Sequence, residues 1–509
     1  MSHLLGLDVG TTGARAVIVD GDDGRIVADA TSEYPLYTPQ PLWAEQDAED
    51  WWRGSVAAVR EALQRARAST AAVDVKGIGL TGQMHGVVLL DASGQVLGRS
   101  LIWCDGRTRR ECDEITATVG AERLIELTSN PALPGFSAPK LLWVRRNDPR
   151  QYERARKFLL PKDFIRFRLT GEYASEVSDA SGTLLFDVAR RRWSDEMLRR
   201  LELDPELLPP VHESPEPSAS LSAAAGHALG LKAGTPVVGG GGDQAAGAVG
   251  NGVVRAGIVS STIGSSGVVF AHAATPARDV RGRVHTFCHA VPGAWHVMGV
   301  TQGAGLSLRW FRDEVAGERE KQAAEAAGRD AYDVLTERAA EAAPGCEGLV
   351  FLPYLMGERT PHLDPRARGV WFGLTAAHKR SHLTRSVLEG VAYSLRDCLE
   401  ILVEMGLPVA EIRASGGGAR SALWRQIQAD VFGREVVTVN ATEGPAYGAA
   451  LLAGVGTGQW ASVPEACDAC IAVTSRMRPD AAAQAVYERA YAVYRRLYTS
   501  LAPLYRELG

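Results

Sequence analysis

The chain carries the same pattern of strand, turn and strand twice, separated by almost half its length. The first copy, LLGLDVGTTGARAVIVDGDDGRIVADA, spans residues 4–30, and the second, GIVSSTIGSSGVVFAHA, spans residues 257–273. When Thr262 is placed on Thr11, Gly264 falls on Gly13, an offset of 251 residues. A repeat of that period predicts two homologous α/β halves that face each other across a cleft.

Both turns join a strand to another strand, which excludes two common nucleotide-binding folds. P-loop and dinucleotide-binding folds place their phosphate loop between a strand and a helix, and neither motif occurs between the strands of residues 4–30. Instead, Asp8 comes near the end of the first strand and small residues follow it. Such a turn offers N–H and hydroxyl donors to anionic oxygens, while the carboxylate can hold hydrated Mg²⁺. Two facing turns of this kind suit the phosphates of ATP.

Size and charge exclude several other classes of protein. With 509 residues, of which 46% are hydrophobic, the chain is too long for a single core. The formal net charge of -5, without a basic block, excludes nucleic acid and a polybasic membrane anchor as partners. We find neither an apolar run long enough to span a membrane nor a signal-peptide layout, so we expect a cytoplasmic protein.

The cysteines and histidines do not predict a metal site. Seven cysteines, sparsely placed, are typical of reduced thiols rather than a disulfide framework. Cys467 and Cys470 form a CxxC pair that lacks a second ligand pair at suitable spacing. His285 and His289 lie in VHTFCH, a predicted strand, where residues four apart are separated by about 13 Å. We therefore expect no zinc site.

A glycine run, VVGGGGDQAAGAVGNG at residues 237–252, lies between the two halves and leads into Asp243. Four consecutive glycines weaken a strand and predict a hinge or a close backbone approach. A carboxylate with an ordinary pKa of about 3.9 is ionised at pH 7 and can accept the proton of an attacking hydroxyl. The structural alternative is that Asp243 caps the helix AAGAVG.

With both turns and this aspartate in view, the sequence resembles the superfamily of actin, Hsp70 and sugar kinases. GFSAPKLLWVRRN, residues 135–147, fits the first signature of the FGGY carbohydrate kinases, and GVWFGLTAAHKRSHLTRSVLE, residues 369–389, fits the second. The resemblance extends from Gly6 to about Leu452. It implies an α/β fold of duplicated actin-like, Hsp70-like ATPase domains (ribonuclease H-like), which we place at residues 1–250 and 251–509. It also implies a kinase that uses ATP and Mg²⁺.

The resemblance assigns roles around the nucleotide. It makes Asp243 the catalytic base and Asp8 the residue that positions Mg²⁺ through water. ASGGGARSALWRQIQAD, residues 414–430, would form the adenosine pocket, although a tight turn between strand and helix is its structural alternative. The implied ATP-binding residues are Gly10, Thr11, Thr12, Arg15, Thr262, Gly264, Ser265, Gly417, Gly418 and Ala419.

On the sugar side, GLTGQMHGVVLLD, residues 79–91, resembles the branch of the family that phosphorylates D-xylulose at its C5 hydroxyl. Met84 and His85 stand where glycerol kinases carry Arg-Glu. LIWCDGRT, residues 101–108, resembles the W-x-D-x-R segment, with Cys104 in place of a common Asn. The implied sugar-binding residues are Gln83, Met84, His85, Trp103, Asp105, Asp243 and Gln244, the last in place of another common Asn.

Cys104 and Gln244, which replace the common Asn residues, both bear on which sugar the protein prefers. Two alternative functions remain. The first is another FGGY kinase that acts on gluconate, ribulose or a further polyol. The second is a non-catalytic ATP-binding clamp like the chaperones of the superfamily, although we find no residues for a peptide-binding domain. The expected partners are the sugar and ATP. The sequence leaves the oligomeric state open, a homodimer included.

Overall fold

The computed structural model describes residues 2–70, 72–317, 321, 322, 324, 326–441 and 444–508. Each half is built around a mixed seven-stranded sheet. None of the helices in these described residues is long and apolar enough to cross a bilayer.

The first half contains strands β1 to β15 and helices α1 to α10. The strands are β1 (His3–Val9), β2 (Gly13–Asp20), β3 (Ile26–Glu33), β4 (Glu45–Gln46), β5 (Val75–Gly82), β6 (Val88–Leu90), β7 (Ser100–Leu101), β8 (Lys157–Leu159), β9 (Ser175–Glu176), β10 (Phe186–Asp187), β11 (Arg192–Trp193), β12 (Val211–His212), β13 (Pro217–Ser220), β14 (Pro236–Val238) and β15 (Gly241–Gly242). The helices are α1 (Ala48–Ser69), α2 (Arg109–Val119), α3 (Ala121–Thr128), α4 (Ser137–Asn147), α5 (Pro149–Arg154), α6 (Pro161–Thr170), α7 (Val177–Ala180), α8 (Asp195–Arg200), α9 (Ala223–Leu229) and α10 (Asp243–Gly250).

The second half contains strands β16 to β24 and helices α11 to α17. The strands are β16 (Gly257–Ile263), β17 (Gly267–Ala273), β18 (His285–Cys288), β19 (Trp295–Thr301), β20 (Val350–Leu352), β21 (Val370–Phe372), β22 (Val409–Ser415), β23 (Val436–Val439) and β24 (Val473–Met477). The helices are α11 (Gly305–Trp310), α12 (Ala331–Ala339), α13 (Arg380–Glu404), α14 (Ala422–Phe432), α15 (Gly444–Gly456), α16 (Val463–Cys470) and α17 (Ala481–Glu507).

The two main sheets share one topology, which confirms the duplicated α/β fold. The first runs β3-β2-β1-β5-β14 and the second runs β19-β17-β16-β22-β23. In both, the first two pairings are antiparallel and the next two are parallel. Each sheet then gains an antiparallel neighbour, β13 on β14 and β24 on β23.

The offset of 251 residues between the repeats is wrong by three. Val9 and Ile263 end equivalent strands, Gly13 and Gly267 begin the next ones, and both pairs are separated by 254 residues. Matching threonine to threonine gives the wrong register, because the strand ends define the turn. Thr262 therefore corresponds to Asp8 inside a strand.

The spacing of apolar residues explains how two long helices pack against the hydrophobic cores. Helix α1 begins after Asp47, whose carboxylate accepts a hydrogen bond from the Glu49 N–H, and its buried face includes Trp51, Val59 and Leu63. Helix α17 buries tyrosines at helical spacing, among them Tyr487, Tyr491 and Tyr494, against the second core. Helix α1 thereby covers the first sheet, whereas α17 packs on α13, α14 and β20, and α13 is the helix that lies on β17 and β19 of the second sheet.

Helix α15 belongs to the second half in sequence but packs on the first sheet and on α10. A Cβ built on Gly448 would lie 1.9 Å from the carbonyl oxygen of Ala246 in α10, and one on Gly6 would lie 1.9 Å from that of Ala446. Real side chains cannot occupy such space, so only glycine permits these contacts. The small residues of α15 thus let this helix lie at the seam of the two halves.

Adding a methyl group at this seam should destabilise the protein. We expect Gly448→Ala to lower the free energy of unfolding by about 1 to 3 kcal/mol, because α10 and α15 must separate. Gly247→Ala is the matched control, since its Cβ would meet Pro445 at an ordinary 3.5 Å. Alanine there should be neutral or slightly stabilising. Urea unfolding measures both variants, and equal midpoints would contradict the seam's role.

Candidate active site

Surrounding side chains fix the shape of the first turn, residues 10–12 between β1 and β2. The Tyr34 hydroxyl donates to the Gly10 carbonyl (2.5 Å), and Gln46 Nε2 donates to the Thr11 carbonyl (2.7 Å). The neighbouring Thr12 remains exposed. The turn is therefore held from the protein side while its tip stays accessible to a ligand.

Two residues predicted to contact the sugar also contact this turn. Gln83 Nε2 donates to the Gly10 carbonyl (3.3 Å) and to Gln46 Oε1 (2.7 Å). Trp103 is 43% exposed, and its indole Nε1 donates to Thr11 Oγ1 (2.8 Å). These contacts link the loops of the expected sugar side to the turn between β1 and β2.

Asp8 lies at the end of β1, in register with Arg15 on β2. Burial raises the pKa of its carboxyl group to about 7; the nearby Asp243 raises it further and Arg15 opposes the shift. Oδ1 is buried and has no hydrogen-bond partner among the described residues. A buried carboxylate oxygen without a partner, beside a second carboxylate, suits the hard, oxygen-seeking ion Mg²⁺.

Asp243 is the first residue of α10 and directly follows β15. The preceding Gly242 N–H donates to Ser178 Oγ (3.0 Å), whose hydroxyl donates to Glu176 Oε1 (2.8 Å). Burial raises the pKa of Asp243 to about 6, against hydrogen bonds from Gln244. The backbone at the aspartate is therefore anchored, while its carboxyl group retains a raised proton affinity.

A buried ionic cluster lies beneath the glycine run. Lys162 Nζ is 2.5 Å from Asp163, 3.9 Å from Glu176 and 3.8 Å from Asp179, and it donates weakly to the Gly239 carbonyl (3.5 Å). Burial alone would lower the pKa of Lys162, but the three carboxyl groups outweigh it and raise the pKa. Sequence reasoning missed this cluster, because nothing in the local pattern marks these charges as buried.

Met84 and His85 lie next to the segment that carries Asp243. A Cβ on Gly242 would be 2.9 Å from Met84 Cγ, so the thioether side chain packs against the backbone just before the aspartate. His85 Nδ1 is 2.6 Å from the Gly182 carbonyl. Because a carbonyl only accepts, Nδ1 carries the proton and Nε2 is left as an acceptor. Burial lowers the pKa of His85 to about 3, so the ring is neutral.

The first signature segment braces His85. Ser137 Oγ and Lys140 Nζ both donate to the His85 carbonyl at 3.1 Å, and the Phe136 ring lies 4.9 Å from the imidazole. His85 has a φ of 70°, a conformation that non-glycine residues seldom adopt. These residues of the first signature segment thus hold the backbone of His85 in the conformation that orients its imidazole.

Asp105 is buried and has both carboxylate oxygens engaged by protein donors. Oδ2 accepts from the Ala44 N–H (2.7 Å), and Oδ1 accepts from Arg107 N (3.0 Å) and Nε (2.9 Å). The Arg107 guanidinium lies 3.6 Å from the centre of the Trp43 ring. The structure therefore places Asp105 in the support of this loop.

The second turn is tied to α11. The Gly305 N–H donates to the Gly264 carbonyl (2.9 Å), and the Leu306 N–H donates to the Ser265 carbonyl (3.0 Å). Thr262 precedes the turn, inside β16, and its hydroxyl is 2.7 Å from that of Ser415 at the end of β22. Gly264 and Ser265 thus form the turn, whereas Thr262 joins two strand ends.

Two adjoining cavities bring together many of the predicted site residues, but Gly10, Thr11 and Thr12 line neither of them. A cleft of about 690 Å³ lies between the halves, and a cavity of about 300 Å³ in the second half shares Gly417 and Arg420 with it. Of the predicted residues, the cleft is lined by Asp8, Arg15, Asp243, Gln244, Thr262, Gly417 and Ala419, and the cavity by Gly264, Ser265, Gly417 and Gly418.

Comparison with known proteins agrees with this geometry. Residues 3–250 match the model of the N-terminal domain of the FGGY family of carbohydrate kinases, and residues 259–457 match that of the C-terminal domain. Xylulose kinase of Escherichia coli strain K12 is 41% identical over 485 residues, covering 95% of this chain and 96% of that protein. Gluconokinase of Bacillus subtilis strain 168 is 33% identical over 460 residues, covering 90% of this chain and 88% of that protein.

A solved structure extends the likeness to three dimensions. The crystal structure of xylulose kinase from Rhodospirillum rubrum has a TM-score of 0.90 and 32% identity, and covers 99% of this chain and 100% of that one. Sequence, duplicated topology and the cleft between the halves lead to one conclusion. The chain belongs to the FGGY family of carbohydrate kinases and is an ATP-dependent sugar kinase.

Proposed function

We propose that the chain phosphorylates D-xylulose at the C5 hydroxyl, with Asp243 as the general base. The observation that carries this proposal is the position of Asp243, anchored at the start of α10, in the same cleft as Asp8 and Gly417. The xylulose kinases among the relatives support the choice of sugar. The gluconokinase match is weaker, and we keep an aldonate as the second candidate.

Asp8 would hold Mg²⁺, directly or through water. Its unpartnered Oδ1 fits an ion that takes oxygen ligands. When bound, the ion neutralises charge on the phosphates. The residues proposed to bind the phosphates are Gly10, Thr11, Thr12 and Arg15 in the first half and Thr262, Gly264 and Ser265 in the second.

The proposed reaction is a displacement at the γ-phosphorus. The C5 oxygen forms a bond to phosphorus, the bond to the β–γ bridging oxygen breaks, and ADP leaves with that electron pair. The proton of the hydroxyl passes to the Asp243 carboxylate. Since the anchored backbone fixes the carboxylate in advance, positioning supplies much of the rate.

On the sugar side, His85 would accept a hydrogen bond from a substrate hydroxyl through Nε2. Met84 would contribute an apolar surface beside Asp243, with Gln244 next to the reacting hydroxyl. We propose an indirect part for Gln83, Trp103 and Asp105, which support the surrounding loops through the contacts described above.

Removing the base tests the assignment of Asp243. We expect Asp243→Asn to lower kcat by about 10² to 10⁴ with little change in the KM for ATP. A coupled ADP-release assay with D-xylulose measures both. Asp113→Asn, an exposed change on α2, is the control and should keep normal turnover. Near-normal turnover in Asp243→Asn would remove it from catalysis.

Removing the imidazole tests the sugar side. We choose His85→Asn because asparagine tolerates the positive φ, whereas alanine would add strain. The KM for D-xylulose should rise, or kcat/KM fall, by an amount corresponding to about 1 to 3 kcal/mol, the cost of an unsatisfied buried contact. ATP hydrolysis without sugar should change little. Equal losses in both activities would indicate a folding defect, and unchanged xylulose kinetics would exclude His85 from the site.

A further inference from the structure

The loop after β20 carries a residue of the second half toward the first. Glu358 fixes this loop, since its carboxylate accepts from Thr301 Oγ1 (2.6 Å) and from the Gln302 N–H (2.9 Å) at the end of β19. Thr360 adds a hydrogen bond from its N–H to the Val300 carbonyl (2.9 Å). The intervening Arg359 is therefore held in one place.

The Arg359 guanidinium lies beside the sugar-side residues of the first half. A Cβ on Gly135 would be 3.9 Å from Arg359 Nη2. Its positive charge also contributes to the lowered pKa of both His85 and His285, after burial as the main cause. A cation from the second half thus stands next to the imidazole that we place in the sugar site.

Within the described part of the chain, Glu358 is the carboxyl group whose charge acts on the Arg359 guanidinium. The Arg359 backbone N–H donates to Glu358 (2.7 Å), but the guanidinium makes no hydrogen bond or ion pair with a described residue. Arg359, His85 and Gly135 all remain partly exposed. Desolvating a guanidinium without a hydrogen-bond partner is costly, so a ligand that supplies oxygens there gains affinity.

Contacts order these residues along the site. Met84 packs against Gly242, next to Asp243, and also against Gly182, which the His85 imidazole contacts as well. Lys140 Nζ then links the carbonyls of His85 and Gly135, and the Arg359 guanidinium lies on the far side of Gly135. A substrate whose reacting hydroxyl meets Asp243 would therefore extend past His85 toward the guanidinium. The planar arginine guanidinium can donate two parallel hydrogen bonds, which suits two adjacent oxygens or a carboxylate.

We propose that Arg359 is a substrate-binding residue, contributed by the second half, that holds the end of the acceptor remote from the phosphorylated hydroxyl. For D-xylulose this end is the C1 hydroxyl and C2 carbonyl, so the inference rests on the proposed function. The same residue favours acceptors with an anionic C1 group over neutral polyols.

Steady-state kinetics provide the first test. Arg359→Gln should raise the KM for D-xylulose about 10- to 100-fold, the loss of a charge-assisted contact, with the KM for ATP unchanged. Arg366→Gln is the matched control, since it removes a half-exposed arginine of the same loop that pairs with Asp364. Wild-type kinetics in Arg359→Gln would overturn the proposal. If that variant unfolds early, Arg359→Lys decides: a raised KM supports the proposal and a wild-type KM overturns it.

Calorimetric titration separates this inference from the proposed function. D-xylonate and xylitol differ at C1, where one carries a carboxylate and the other a hydroxyl. The wild-type protein should bind xylonate at least several-fold more tightly, and Arg359→Gln should lose that preference. Equal affinities in the wild type, or a preference that survives in Arg359→Gln, would overturn the inference. Failure of the wild type to phosphorylate D-xylulose would instead overturn the proposed function, whatever the titrations show.

Discussion

The contact between α10 and α15 is the constraint on which the site depends. Backbone meets backbone there, because Gly448 leaves no side chain between the helices. The N-terminal ends of both helices, with Asp243 and Gln244 on one and Gly444 and Pro445 on the other, line the same cleft. Joining the two halves and placing the carboxylate are thus achieved by one packing arrangement.

Two buried carboxyl groups line the cleft between the halves. Asp8 and Asp243 both have raised pKa values because they are buried, and the charge of Asp243 raises the pKa of Asp8 further. A Mg²⁺ ion would relieve this cost. Behind them, Lys162 offsets carboxyl groups that would otherwise add to the negative charge, so the segment that carries Asp243 rests on an ionic cluster.

Local patterns predicted much of the fold. The alternation and turn residues predicted β1, β2, β16 and β17, and the glycines predicted the close approach at Gly240, whose Cβ would lie 2.0 Å from the Leu80 carbonyl oxygen. These features depend on neighbours in sequence, where spacing is informative. The register of the repeat was misjudged because residue identity does not reveal where a strand ends.

The contacts that escaped prediction join segments distant in sequence. Trp103 reaches Thr11, Lys162 reaches Glu176 and Gly239, and Arg359 approaches Gly135 from the other half. The periodicity of apolar residues along the sequence cannot predict such contacts, since they depend only on tertiary packing. The resemblance to a family proposes the site residues, and the structure adds which of these side chains are held by other residues and which face a cavity.

The position of the transferred phosphate tests the central claim most directly. Purified protein, ATP, Mg²⁺ and ¹³C-labelled D-xylulose can be followed by ¹³C and ³¹P NMR. The account predicts one sugar product, with phosphorus coupling at C5 and one ADP formed for each sugar consumed. Phosphorus coupling at C1, or ADP formed without a phosphorylated sugar, would contradict it.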